Sequence, residues 1–154
     1  MSHPDPSVAE RQLCGLVNGL ARQISDHVRE RATKLGLTAA QAIALRELTG
    51  PMTMGELAER MSCEPSNATF VVDKLAIQGL IERQPHPRDR RAKLLVLTPD
   101  GAALRERLLD LLSHDSPLAG LTSQQQRTLH ALLDQAVASS SRRPSRANRP
   151  VTPG

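Results

Sequence analysis

The chain has 154 residues, with 20 lysines and arginines against 16 acids and a formal charge of +4, a length that holds one domain or one domain with a tail. No apolar run approaches the roughly 18 residues of a membrane span, and the opening MSHPDPS lacks the basic and apolar regions of a signal peptide, so a cytoplasmic protein with no membrane partner is expected. Cys14 and Cys63 lie 49 positions apart without paired spacing, against a disulfide framework or zinc ribbon, and the single aromatic, Phe70, is against folds that stack successive bases on aromatic rings.

The first predicted element is a long amphipathic helix. Ser7 with Glu10 reads as a capping box, and Leu13, Leu16, Val17, Leu20, Ile24, Val28 and Ala32 recur at three- and four-residue spacing until Gly36. At about 1.5 Å per residue, a helix from Ser7 to Lys34 runs roughly 40 Å, longer than the ~30 Å breadth of a small domain. Part of its stripe is therefore expected to meet another subunit. Thr38 with Gln41 opens a second helix, Leu37 stapling onto Ala42, and Gly50-Pro51 closes it. Thr53 with Glu56 opens a short third helix that buries Leu57, Ala58 and Met61. At the fourth, Glu64 stands in the cap position and Pro65 in the first helical position, where a missing N–H costs nothing. Ala68, Val71, Val72 and Leu75 form its buried face, and Gly79 supplies a left-handed end.

The periodicity then changes. Residues 80–84 and 93–98 read as two strands around the turn-rich Pro85-His86-Pro87-Arg88-Asp89-Arg90-Arg91. Thr98 caps the next helix, with Pro99 at its first position and Leu104, Leu108, Leu111 and Leu112 as its stripe. After an interruption from His114 to Gly120, Thr122 with Gln125 starts a last helix carrying Leu129, Leu132, Leu133, Ala136 and Val137. Residues 139–154 are serine, arginine, proline and other small or polar types with one valine; they bury too little apolar surface to offset ordering and are expected to be a disordered basic tail.

That tail holds four arginines and no acid, so the remainder carries 16 bases and 16 acids. Within the neutral remainder, residues 83–93 hold Arg83, Arg88, Arg90, Arg91 and Lys93 against Asp89 alone, a net +4 in eleven positions. Two short helices in tandem, a Ser62-Cys63-Glu64 turn and a basic hairpin make a mainly α fold with a small β-hairpin wing, a winged helix-turn-helix. The second helix of the pair leaves Ser66, Asn67, Thr69, Phe70, Asp73 and Lys74 outward. In a major groove, Asn67 suits adenine, Phe70 either touches a thymine methyl or packs on the hairpin or preceding helix, and Lys74 suits phosphate. An arginine-tipped hairpin suits an adjacent narrow groove or the phosphates beside it.

From Met54 to Gly101 these residues resemble the MarR family of bacterial transcriptional regulators, and the flanking helices extend the resemblance to about residues 8–138. Its most specific pieces are Val72-Asp73-Lys74-Leu75, Gly79-Leu80-Ile81-Glu82-Arg83, Asp89-Arg90-Arg91, and Leu97-Thr98 with Gly101. The resemblance implies a homodimeric regulator, such as a repressor released by a small aromatic or anionic effector, acting on a near-palindromic double-stranded operator. It implies dimerisation helices at 8–36 and 102–138 and a DNA-binding domain at 37–101. Pro65, Ser66, Asn67, Thr69, Phe70 and Lys74 then belong to the recognition helix and Arg88, Asp89, Arg90 and Arg91 to the wing. Arg91 falls on the arginine that enters the minor groove and Asp89 on the carboxylate that orients it, whereas Phe70 stands where many relatives carry a polar or basic residue.

Two other functions compete. Cys14 resembles the sensing cysteine of the hydroperoxide-responsive branch, which would make the chain a thiol-based redox regulator, although it has no tyrosine to hold the thiolate. As a small core hydrophobe, Cys14 would be inert, and Cys63 in the turn is the other candidate thiol. A winged helix that binds only proteins is the third possibility, since fold does not fix function. His3, His27, His86, His114 and His130 share no ligand spacing, and neither a catalytic triad nor a phosphate loop occurs, so no enzyme, metal or cofactor is expected. His86, beside the wing arginines, is positioned to add positive charge in mild acid.

Overall fold

The computed structural model describes residues 5–141. The chain divides after Pro117 into two compact units. In the first, α1 (Pro6–Lys34) is followed by α2 (Ala39–Glu47), α3 (Met54–Arg60), α4 (Pro65–Ile77), β1 (Ile81–Pro85), β2 (Lys93–Leu97) and α5 (Pro99–Ser113). The second contains α6 (Ser123–Ser141). No helix of the described residues is long and apolar enough to cross a membrane.

Helix starts follow local chemistry. Reciprocal capping boxes close α2 through Thr38 and Gln41 and α3 through Thr53 and Glu56. The Thr98 hydroxyl accepts from the Gly101 N–H at the head of α5, and Thr122 and Gln125 exchange bonds ahead of α6. Each such cap contributes about 1 kcal/mol. Helix α1 departs from expectation: the Asp5 carboxylate, not Ser7, is the cap, accepting from the Ser7 N–H at 3.0 Å with Pro6 in the first turn. An ionised acceptor next to a preorganised proline starts the helix earlier than a hydroxyl does. Bonds from Ser7 hold the Asp5 carboxyl below the ordinary carboxylate range. At the other end of the chain, α6 continues through Ser139, Ser140 and Ser141, three residues into the expected tail. The Ser139 and Ser141 hydroxyls donate back to the Gln135 and Val137 carbonyls, which accommodates serine within a helix. Residues 142–154, and with them the rest of the expected tail, lie outside the described residues.

The core of the first unit is assembled from every element around α4. Leu45 and Leu48 from α2 and its end, Leu57 from α3, Val72 and Leu75 from α4, Leu95 from β2 and Leu108 from α5 are fully buried. The C-terminal part of α1 joins it, with Val28 and Ala32 buried and Ile24 packed against the core. The strands pair antiparallel, from Ile81 opposite Leu97 to Pro85 opposite Lys93. Relative to the expected strands, the hairpin takes in Pro85 and releases Leu80 and Thr98. A backbone bridge from Met52 to Leu95 ties the segment before α3 to β2.

Helix ends are satisfied by side chains from neighbouring helices. The orphan carbonyls of α5 receive His27 Nε2 on Leu112 at 2.9 Å and the Arg31 guanidinium on Leu111 and His114 at 3.1 and 3.0 Å. In turn, Arg105 of α5 donates to the Leu45 and Arg46 carbonyls near the end of α2, at 2.9 and 3.0 Å. Terminal carbonyls have no partner within their own helix, so these bonds both satisfy them and fix one helix against the next.

The base of the hairpin is locked to α5 by a close approach. A Cβ added at Gly101 would stand 2.0 Å from the Leu80 carbonyl oxygen. Around that contact, Thr98 donates its N–H to the Leu80 carbonyl and its hydroxyl to the Gly79 carbonyl. Gly101→Ala must push the first turn of α5 off the hairpin. Urea unfolding should show a loss of about 1–3 kcal/mol; an unchanged midpoint would show that the contact yields freely.

Candidate nucleic-acid interface

Helix α4 is rotated by its own sequence. Ala68, Val71, Val72 and Leu75 are buried, and at 3.6 residues per turn this leaves Ser66, Asn67, Thr69, Phe70, Asp73 and Lys74 exposed, as expected. Pro65 fills the first helical position behind Glu64, which contributes no side-chain cap. The turn into α4 is made without glycine: Ser62 takes the left-handed conformation at φ 54°, and the Ser62 and Cys63 amides close onto the Glu59 and Ala58 carbonyls.

The exposed side chains differ in what they have left to offer. The Thr69 hydroxyl donates to the Pro65 carbonyl at 2.9 Å, so its proton is committed to its own helix. Phe70 is 63% exposed, and the Lys74 ammonium sits 4.7 Å from its ring centroid. Asp73 pairs with Arg83 of β1, a contact sequence reasoning did not find. This pair removes Arg83 from the free basic cluster and ties the first wing strand to the outward face of α4. Opposite charges in the neighbouring segments Val72-Asp73-Lys74 and Glu82-Arg83 were the available signal.

The wing tip is organised by two acceptors. His86 Nδ1 accepts the backbone N–H groups of Arg88 and Asp89 at 3.1 and 3.0 Å, and the Asp89 carboxylate accepts the Arg91 N–H at 2.9 Å. Asp89 therefore acts on Arg91 through the backbone, and Arg88, Asp89, Arg90 and Arg91 are all exposed. The Nδ1 lone pair of His86 thus faces two donors and serves the wing tip as an acceptor.

Cys14 is exposed on α1, flanked by Arg11, Gly15 and Asn18, while Cys63 is half-buried in the turn. Among the described residues, no three His, Cys, Asp or Glu side chains converge as a metal cradle.

The geometry has close counterparts among known proteins. The family model described as "MarR family" matches residues 37–93, from just ahead of α2 to the first residue of β2. The organic hydroperoxide resistance transcriptional regulator of Bacillus subtilis is 30% identical over 125 residues, 80% of this chain and 83% of that one. The chain belongs to the MarR family. MdtR, an HTH-type transcriptional repressor of B. subtilis, is 33% identical over 111 residues, 71% of this chain and 70% of its own. A cysteine-to-serine variant of MarR from E. coli, solved in complex with operator DNA, superposes with a TM-score of 0.67 at 28% identity and covers 86% of this chain and 99% of that one. As a MarR-family protein this chain is a DNA-binding transcriptional regulator and not an enzyme.

The two bonds to His86 are the test of the wing's internal order. In His86→Ala, amide hydrogen exchange at Arg88 and Asp89 should accelerate while α4 amides keep their protection. Equal exchange in both proteins would mean that the imidazole does not hold the tip.

Proposed function

We propose that this MarR-family regulator acts in the cytoplasm as a homodimeric repressor of a near-palindromic operator and is released by a small aromatic or anionic effector. In this reading, residues 37–101 read the duplex, while residues 8–36 and 102–138 carry the dimer contacts. The observation that carries it is the joining of an outward polar helix face to an arginine-tipped hairpin through Asp73 and Arg83. Pro65, Ser66, Asn67, Thr69, Phe70 and Lys74 enter the major groove, where every base pair presents a distinct pattern of groups. Arg88, Arg90 and Arg91 meet the minor groove and its phosphates, with Asp89 holding the Arg91 backbone in place.

Support for the dimer comes from what each unit leaves uncovered. Leu13, Leu16 and Val17 on α1 and Leu132, Leu133 and Val137 on α6 are exposed, and apolar strips of this kind mark interaction surfaces. Repression is the activity named for the MdtR relative, and a complex with operator DNA is the state of the MarR structure. Release follows from the capping chain: α1 holds the end of α5 through His27 and Arg31, and α5 holds the end of α2 through Arg105. A ligand that shifts α1 would be felt at α4 through these contacts, changing the spacing of two recognition helices.

A second reading has one observation in its favour. Cys14 is exposed, and the B. subtilis relative is named for organic hydroperoxide resistance. If Cys14 is the sensor, Cys14→Ser binds the operator normally and ignores an organic hydroperoxide; a variant that still responds excludes it.

The main reading is tested with duplexes from upstream of the protein's own coding sequence. Binding should fall steeply with salt, and a near-palindrome should outcompete random duplex. Arg91→Ala should weaken operator binding by at least about tenfold and lower the salt slope by about one, with the dimer unchanged in sedimentation. Equal, weak binding to every duplex would overturn the reading.

A further inference from the structure

We infer that Phe70, steadied by Lys74, is a specificity-determining residue that selects a C5-methyl group on a pyrimidine in the major groove of the operator. The inference rests on the DNA-reading role of α4 proposed above and assigns one of its side chains a target. Phe70 is the sole aromatic of the chain and stands in the middle of the exposed face of α4, flanked by Thr69 and, one turn on, by Asp73 and Lys74. Core burial does not account for it, since the ring is 63% exposed while Ala68, Val71, Val72 and Leu75 form the packed face.

A phenyl ring has no conventional hydrogen-bonding group to offer base edges. Within an intact duplex the bases are stacked, so their faces are closed to it, and a single ring provides no platform for successive unstacked bases. The major groove offers one apolar group at its base edges, the C5-methyl of thymine, and cytosine gains the same group on methylation. Lys74 contributes at i+4, where its ammonium, 4.7 Å from the ring centroid, attracts the quadrupole of the ring and limits its motion. The same ammonium lies on the exposed face, where a phosphate can take it. Ring and charge thus act together, the ring on the methyl and the charge on the backbone beside it.

The probe is the tightest duplex that the protein itself selects from a randomised pool. One arm replaces each thymine in turn by uracil, which removes only the methyl; the other replaces each cytosine in turn by 5-methylcytosine. Loss of one methyl contact should weaken binding about fourfold, and symmetric loss in both half-sites about fifteenfold. A fall at one thymine per half-site assigns the methyl to thymine, and a rise at a cytosine assigns it to 5-methylcytosine. Phe70→Ala, an exposed position, should fold and bind the duplex more weakly but lose that dependence, while Phe70→Leu should retain part of it. A flat response in both arms, on a duplex that the parent protein binds, overturns the inference and leaves the reading of α4 standing. So does a methyl dependence that persists in Phe70→Ala. Failure to select any duplex overturns the DNA reading and the inference together.

Discussion

Burial of Ala68, Val71, Val72 and Leu75 fixes the rotation of α4, and the chemistry of the surface follows from that constraint. Four apolar side chains buried on one helical face, three of which, Val71, Val72 and Leu75, belong to a core that also draws on α2, α3, β2 and α5, leave one orientation in which no large apolar group but Phe70 is turned out along the first ten residues of the helix. Rotating the helix by one residue would expose Val72 or Leu75, each about 1.5–3 kcal/mol worse in water than in the core. Side chains that would meet a duplex are thereby held by packing rather than by contacts of their own.

The wing depends on two kinds of fastening with different strengths. At its base, the Gly101 approach to Leu80 and the Thr98 bonds to Gly79 and Leu80 join hairpin and helix backbone to backbone. At its side, Asp73 and Arg83 form a half-exposed ion pair, a class worth roughly 0–1 kcal/mol, which sets orientation more than stability. Its tip is held by the side chains of His86 and Asp89 and by the Ala92 N–H on the Asp89 carbonyl. Order therefore falls from base to tip, as suits an arginine loop that adapts to a groove of variable width.

Much of this was legible in the sequence because it is local. Capping boxes at Thr38 and Thr53, proline in the first turn of α4 and α5, and the four-residue stripe of α4 are short-range signals, and they fell where expected. The misses were of two kinds. One was local competition: Asp5 outranks Ser7 as the cap, and serine occupies a left-handed turn at residue 62 where a glycine would have been the signal. The other was long-range pairing: Arg31 and His27 reach α5 across 80 and 85 positions, Arg105 reaches α2 across about 60, and Asp73 meets Arg83 only once the hairpin folds back. No periodicity records such contacts. The partners of His86 were hidden for the same reason, because its neighbours in sequence are arginines while its partners in space are two backbone N–H groups.

In the proposed complex one continuous surface, the outward face of α4 with the tip of the wing, meets duplex DNA. Titrating the labelled protein with its selected near-palindromic duplex and following backbone amide resonances tests it most directly. The largest perturbations are expected at residues 65–74 and 86–93, with the buried face of α4 moving less than its exposed face. Perturbations confined to other elements, or present in one of these two segments and absent from the other, would contradict it.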